Sequence, residues 1–124
     1  MSKLAKMISL MGLSVGMITA PAVAARSDTD TQHVANALMA GDYVGAEARI
    51  AALGLKDSSD PVMLINLGNA YAGMGRKADA QIAYKAALNS SEEIDLDMAD
   101  GSVRSSREVA EVALNRLGTS FAGR

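Results

Sequence analysis

Asp95, Asp97 and Asp100, followed by Gly101, form the densest set of potential metal ligands in this sequence. A calcium loop places carboxylates at alternate positions before a glycine and closes with a bidentate Glu at the twelfth position. Here the third acid comes one residue late and Ser106 stands where the closing Glu belongs. The run reads more simply as a strand with a solvated acidic face and a turn. His33 is the single imidazole, and no acid–Ser or acid–Cys set accompanies it. Glu92 and Glu93 are adjacent, so on a helix they point about 100° apart and cannot act as a facing pair. Gly73-Met74-Gly75 belongs to a helix–helix turn rather than to a phosphate-cradling loop. Without Cys there is no thiol nucleophile, disulfide or thiolate-bound zinc. The residues therefore point to no catalytic group, no metal site and no cofactor. Asn66 and Asn69, three apart, each carry both a donor and an acceptor.

The elements that must position these residues follow from periodicity. The chain has 124 residues, of which 49% are apolar and 21% charged, enough for one small domain. Residues 1–25 have the layout of a secretory leader: Lys3 and Lys6, an apolar run over 7–18, then Pro21 and Ala22-Val23-Ala24. A cut is expected near Ala24 or Ala25. The apolar run is shorter than the ~20 residues a membrane span requires, so no transmembrane segment is expected after cleavage. Removing the leader takes two lysines and no acids, which moves the net charge from −2 to −4. A mildly acidic product disfavours nucleic acid as a partner.

From Arg26 onward apolar residues recur at helical spacing. Thr29 or Thr31 is expected to cap a helix to about Ala40, and Gly41-Asp42 ends it. A second helix is expected from Tyr43 to Leu53, followed by a polar linker. Asp60-Pro61 reads as an N-cap followed by Pro at the first helical position, opening a third helix to Gly73–Gly75. A fourth is expected from Ala78 to Asn89. The period then changes over 94–104, where Ile94, Leu96 and Met98 alternate with acids and Asp100-Gly101 marks a hairpin turn. Ser105 or Ser106 opens a final helix over 105–118, with Val109, Val112, Ala113 and Leu117 on its inner face. Residues 119–124 read as a tail.

An internal offset explains this spacing. Gly41 and Gly75 are 34 residues apart, and the same interval relates Ala46 to Ala80, Ile50 to Tyr84 and Leu53 to Ala87. From Pro61 the chain resembles the tetratricopeptide repeat, a helix–turn–helix unit of that length. Leu64, Leu67, Gly68 and Tyr71 stand in its first-helix signature, with Leu in the Trp slot, and Ala80, Tyr84 and Ala87 in its second. Gly68 and Ala80 let the two helices approach closely, and Leu64, Leu67 and Tyr71 supply the stripe between them. Two departures stand out. Ser91 and Glu92 occupy the region of the usual terminal Pro, and the unit over 27–60 has His33 and Val34 where Leu and Gly belong. The resemblance covers 26–93, with 61–93 the clear unit.

The fold expected is all-α: tetratricopeptide-like antiparallel helical hairpins, a short β-hairpin and a C-terminal capping helix. The resemblance implies a non-catalytic protein–protein interaction module, here in the periplasm or the secreted fraction. Its groove, lined by first helices, would take a protein or peptide through Asn66 and Asn69, with Val62 and Ile65 as apolar neighbours. The basic residues of a carboxylate clamp are missing from the first unit, which has Asp28, Thr31 and Gln32. Two alternatives stand beside this reading: a homo-oligomer joined through the open repeat face, and a calcium-dependent binder using 95–100.

Overall fold

A computed structural model describes residues 8–9, 23–24, 29–56, 58–98 and 100–122. The expected leader and its cleavage site fall largely outside these residues, apart from two short strands, β1 (Ile8–Ser9) and β2 (Val23–Ala24), which pair antiparallel. The remaining elements are α1 (Thr29–Met39), α2 (Tyr43–Ala52), α3 (Pro61–Gly73), α4 (Lys77–Leu88), β3 (Asp95–Asp97), β4 (Val103–Ser105) and α5 (Ser106–Ala122). The chain is mostly helical, and the expected β-hairpin is present between α4 and α5.

α1–α2 and α3–α4 are two helical hairpins with the same turn. In the first, the amides of Ala40, Gly41 and Asp42 donate to the carbonyls of Asn36, Leu38 and Ala37. In the second, Met74, Gly75 and Arg76 donate to Ala70, Ala72 and Tyr71, each pair displaced by 34 positions. Gly41 at φ 80° and Gly75 at φ 78° supply the left-handed residue that this helix ending requires. The N-caps follow the local sequence. Asp42 accepts from the Gly45 amide at 2.9 Å, and Asp60 accepts from Val62 at 3.0 Å with Pro61 in the first turn.

The second hairpin closes tightly because Gly68 has no side chain. A Cβ there would come within 2.6 Å of Cδ1 on the Tyr84 ring. The first hairpin solves the same contact with other residues. Val34 replaces Gly68 and Ile50 replaces Tyr84 at the 34-residue offset, and both are fully buried. A bulkier residue on one helix is matched by a smaller one on the other, which keeps the volume between them filled. The missing first-helix signature has a similar cause. Leu64 and Leu67 of α3 are buried, whereas their equivalents Asp30 and His33 lie exposed on the outer side of α1.

α3 is the centre of the molecule, and every residue from Pro61 to Ala72 is buried. One core joins α1 and α2 to α3, α4 and α5 through Val34, Leu38, Ile50, Met63, Tyr84 and Leu117. A second core gathers Val62, Leu64 and Ile65 with Ala87, Leu96, Val109 and Ala110. Leu96 is the inward residue of β3, whose pairing with β4 runs Asp95 to Ser105 and Asp97 to Val103. The reversal uses Gly101 at φ 88°, its amide donating to the Met98 carbonyl at 3.0 Å. Ser105 Oγ then caps α5 by accepting from Glu108, and the buried Ser106 Oγ accepts from the Ile94 amide. α5 continues four residues beyond the expected Gly118, to Ala122, so most of the expected tail is helix.

Candidate functional site

The residues expected to line a binding groove are in the interior. Val62 and Ile65 pack under Leu96, Val109 and Ala110, because the β-hairpin and α5 fold back over α3. Asn66 is 0% exposed and Asn69 2% exposed. The Oδ1 of Asn69 accepts a 2.6 Å hydrogen bond from the Tyr84 hydroxyl. Asn69 thus satisfies a buried phenol that would otherwise be costly to enclose. Burial holds that phenol well above the ordinary tyrosine pKa, with Arg116 opposing the shift. The first hairpin supports this structural role. Where Tyr84 becomes Ile50, with no hydroxyl, Asn69 becomes Ala35. The expectation of an open groove at Val62, Ile65, Asn66 and Asn69 is therefore corrected: these four residues face packed side chains.

The other residues singled out for chemistry are dispersed. His33 is exposed on α1. Glu93 pairs with Arg107 at 3.2 Å. Asp100 binds the amide and hydroxyl of Ser102, and these bonds hold its pKa below the usual carboxylate value. Among the described residues no group of three His, Cys, Asp or Glu side chains is placed to hold a metal ion. Asp95, Asp97 and Asp100 serve the hairpin and its turn instead.

Large apolar side chains are exposed on the second helices of both hairpins, as well as at Met39 of α1 and Val103 of β4. Val44, Ala48 and Ala52 form an exposed ridge along α2, and Ala78, Ile82 and Ala86 form the equivalent ridge along α4. Each pair is related by the same 34-residue offset. Val44 is 65% and Ile82 67% exposed, high values for side chains of this size. Beside the α4 ridge is a cleft of about 250 Å³. Leu64, Leu67, Tyr71 and Ala83 line it as buried residues, Ile82 and Ala86 form its lip, and Lys56 and Asp79 stand at its edge. The volume accommodates one large apolar side chain rather than a drug-sized ligand.

Charged groups frame that cleft. The Arg76 guanidinium lies 4.5 Å from the Tyr71 ring centre and the Lys56 ammonium 5.9 Å, both within cation–π range. Lys56 pairs with Glu47, and the hydrogen bonds to Glu47 and then Tyr71 raise its pKa. Arg76 holds Asp79 through Nε at 3.0 Å and Nη2 at 2.8 Å, both to Oδ2. These contacts cover the Tyr71 ring, which forms one wall of the cleft. In the sequence these ridge residues are apolar positions at helical spacing, and nothing there marks them apart from core positions.

No family model matches the chain, and searches of curated proteins and solved structures return no significant match. Among the described residues, no helix is long and apolar enough to cross a membrane.

Proposed function

We propose that this chain is a non-catalytic protein–protein interaction module of the tetratricopeptide type, exported to the periplasm or secreted after removal of its leader. The observation that carries the binding role is the cleft beside Ile82. It is an open apolar feature with a floor of buried side chains and a large exposed aliphatic residue at its lip. Covering an Ile that is 67% exposed gains about 1–2 kcal/mol of apolar burial, against which the ordering cost of docking is set. The repeat assignment draws support from the two turns that share their hydrogen bonds at a 34-residue interval. The docking surface moves from the inner Asn pair to the outer ridges of α2 and α4.

End-on stacking of copies through the repeat faces draws no such support. The outer side of α1 carries Asp30, Gln32, His33 and Asn36, and that of α5 carries Glu108, Glu111, Asn115 and Arg116, all exposed. Polar end faces of this kind are what terminate a helical stack.

The experiment is in-cell crosslinking of the tagged protein, followed by affinity purification and mass spectrometry. The chain is compared with Ile82→Glu and with Asn66→Ala. A stoichiometric partner retained by Asn66→Ala and lost by Ile82→Glu is expected. A partner indifferent to Ile82→Glu overturns the assignment of the surface, and the absence of any partner overturns the binding role.

A further inference from the structure

The ridge on α4 is self-complementary. Ala78, Ile82 and Ala86 are spaced by four residues and form an i±4 ridge, the kind that packs against a second such ridge at an interaxial angle of about −50°. Ala on either side of the central Ile lets two helix backbones approach. The flanking charges obey the same symmetry. Asp79 lies three residues before Ile82 and Lys85 three after it, so at about 100° and 1.5 Å per residue they sit about 60° to either side of its direction. They also lie about 4.5 Å below and above it along the axis.

A two-fold axis passing near Ile82 and along the ridge takes Lys85 of one copy to Asp79 of the other, and the reverse. Both groups are open to such a contact. The two hydrogen bonds that Asp79 makes to Arg76 fall on Oδ2 and leave Oδ1 available. Lys85 is exposed and has no ion pair among the described residues.

We infer that the partner at the Ile82 surface is a second copy of this chain, crossed α4 on α4 about a two-fold axis, with two reciprocal Asp79–Lys85 pairs. The inference rests on the reading of this face as a docking surface. A single helix crossing covers less than the roughly 1,000 Å² of a stable interface, so the dimer is weak, reversible and weakened by salt. Association places Ile82 of each copy against the ridge and cleft of the other. The pairs then fix the crossing direction, because the opposite hand sets Asp79 against Asp79.

Sedimentation of the purified protein over a wide concentration range tests this directly. A dimer fraction that rises with concentration is expected, and Ile82→Glu is expected to leave only monomer. Asp79→Lys and Lys85→Asp, each of which sets like charges together, should weaken association by about tenfold or more. The combined Asp79→Lys/Lys85→Asp exchange should restore it. Ile82 and Lys85 are exposed and Asp79 half-buried on the same helix face, and unchanged far-UV circular dichroism confirms that the variants fold. A protein that stays monomeric throughout, or a double exchange no better than its parents, overturns the second-copy inference. If a foreign partner is still captured in cells and lost with Ile82→Glu, that failure leaves the docking surface standing. If no partner is captured either, both fall.

Discussion

The contact between Gly68 and Tyr84 can be exchanged for the one the first hairpin uses. Gly68→Val alone places a branched side chain into the Tyr84 ring, whose Cδ1 would lie 2.6 Å from the new Cβ and whose Cζ 2.9 Å. Overpacking of that kind costs about 1–3 kcal/mol, against a few tenths regained by removing Gly from a helix. Tyr84→Ile alone removes much of a fully buried ring and the hydroxyl that Asn69 accepts, at about 3–5 kcal/mol. If the effects were independent, the two together would cost about 4–8 kcal/mol, most of the stability of a domain this size. The first hairpin, however, already packs Val34 on Ile50 with Ala35 beside them. The triple variant Gly68→Val/Asn69→Ala/Tyr84→Ile should therefore cost only about 1–3 kcal/mol, a favourable coupling of at least about 1 kcal/mol. Urea denaturation followed by circular dichroism on the singles, the Gly68→Val/Tyr84→Ile double and the triple measures that coupling. Additivity within about 0.5 kcal/mol would refute the idea that the two hairpins use interchangeable solutions.

Asp60→Ala removes the acceptor for the Val62 amide and should lower stability by about 1 kcal/mol, or about 4–8 °C in thermal midpoint. Asn69→Ala should also reduce the melting temperature, since it strands the Tyr84 hydroxyl, while leaving crosslinked partners unchanged. The folded pKa of Tyr84 is raised above its unfolded value near 10, so its contribution is complete below pH 10 and is lost as pH rises beyond it. Denaturation above pH 10 should show stability falling by up to ~1.4 kcal/mol per pH unit from this group, with a shallower slope in Tyr84→Phe. Calcium should leave the melting temperature unchanged, because Asp95, Asp97 and Asp100 form no cluster.

The helices were legible because their ends carry strong local signals. Asp60-Pro61 opens α3 and Gly41 and Gly75 close α1 and α3, each by a backbone preference that no tertiary contact overrides. The surroundings of Asn66 and Asn69 were less legible, although one warning was available. Val62-Met63-Leu64-Ile65 puts four apolar residues on successive sides of one turn, the mark of a helix enclosed all round. An Asn on such a helix belongs to the interior. Gly118 misled for the opposite reason: glycine weakens a helix by about 1 kcal/mol but does not end one that packing already holds. The cleft at Ile82 was invisible in periodicity, because an exposed apolar residue and a core residue share the same letter.

Ser90 bears on how this molecule comes apart. Its hydroxyl donates to the Ser59 carbonyl at 2.7 Å, and its own carbonyl accepts from Arg107 at 2.9 Å. One residue thus joins the linker after α2, the end of α4 and the first turn of α5. Stacked repeats ordinarily unfold as a chain of nearest neighbours, fraying inward from either end. Here the third segment is fastened to the junction between the first two, because the α5 bond and the linker bond meet on the same residue. The consequence is coupled opening: amides of α5 and of the linker should exchange hydrogen at closer opening free energies than independent segments would.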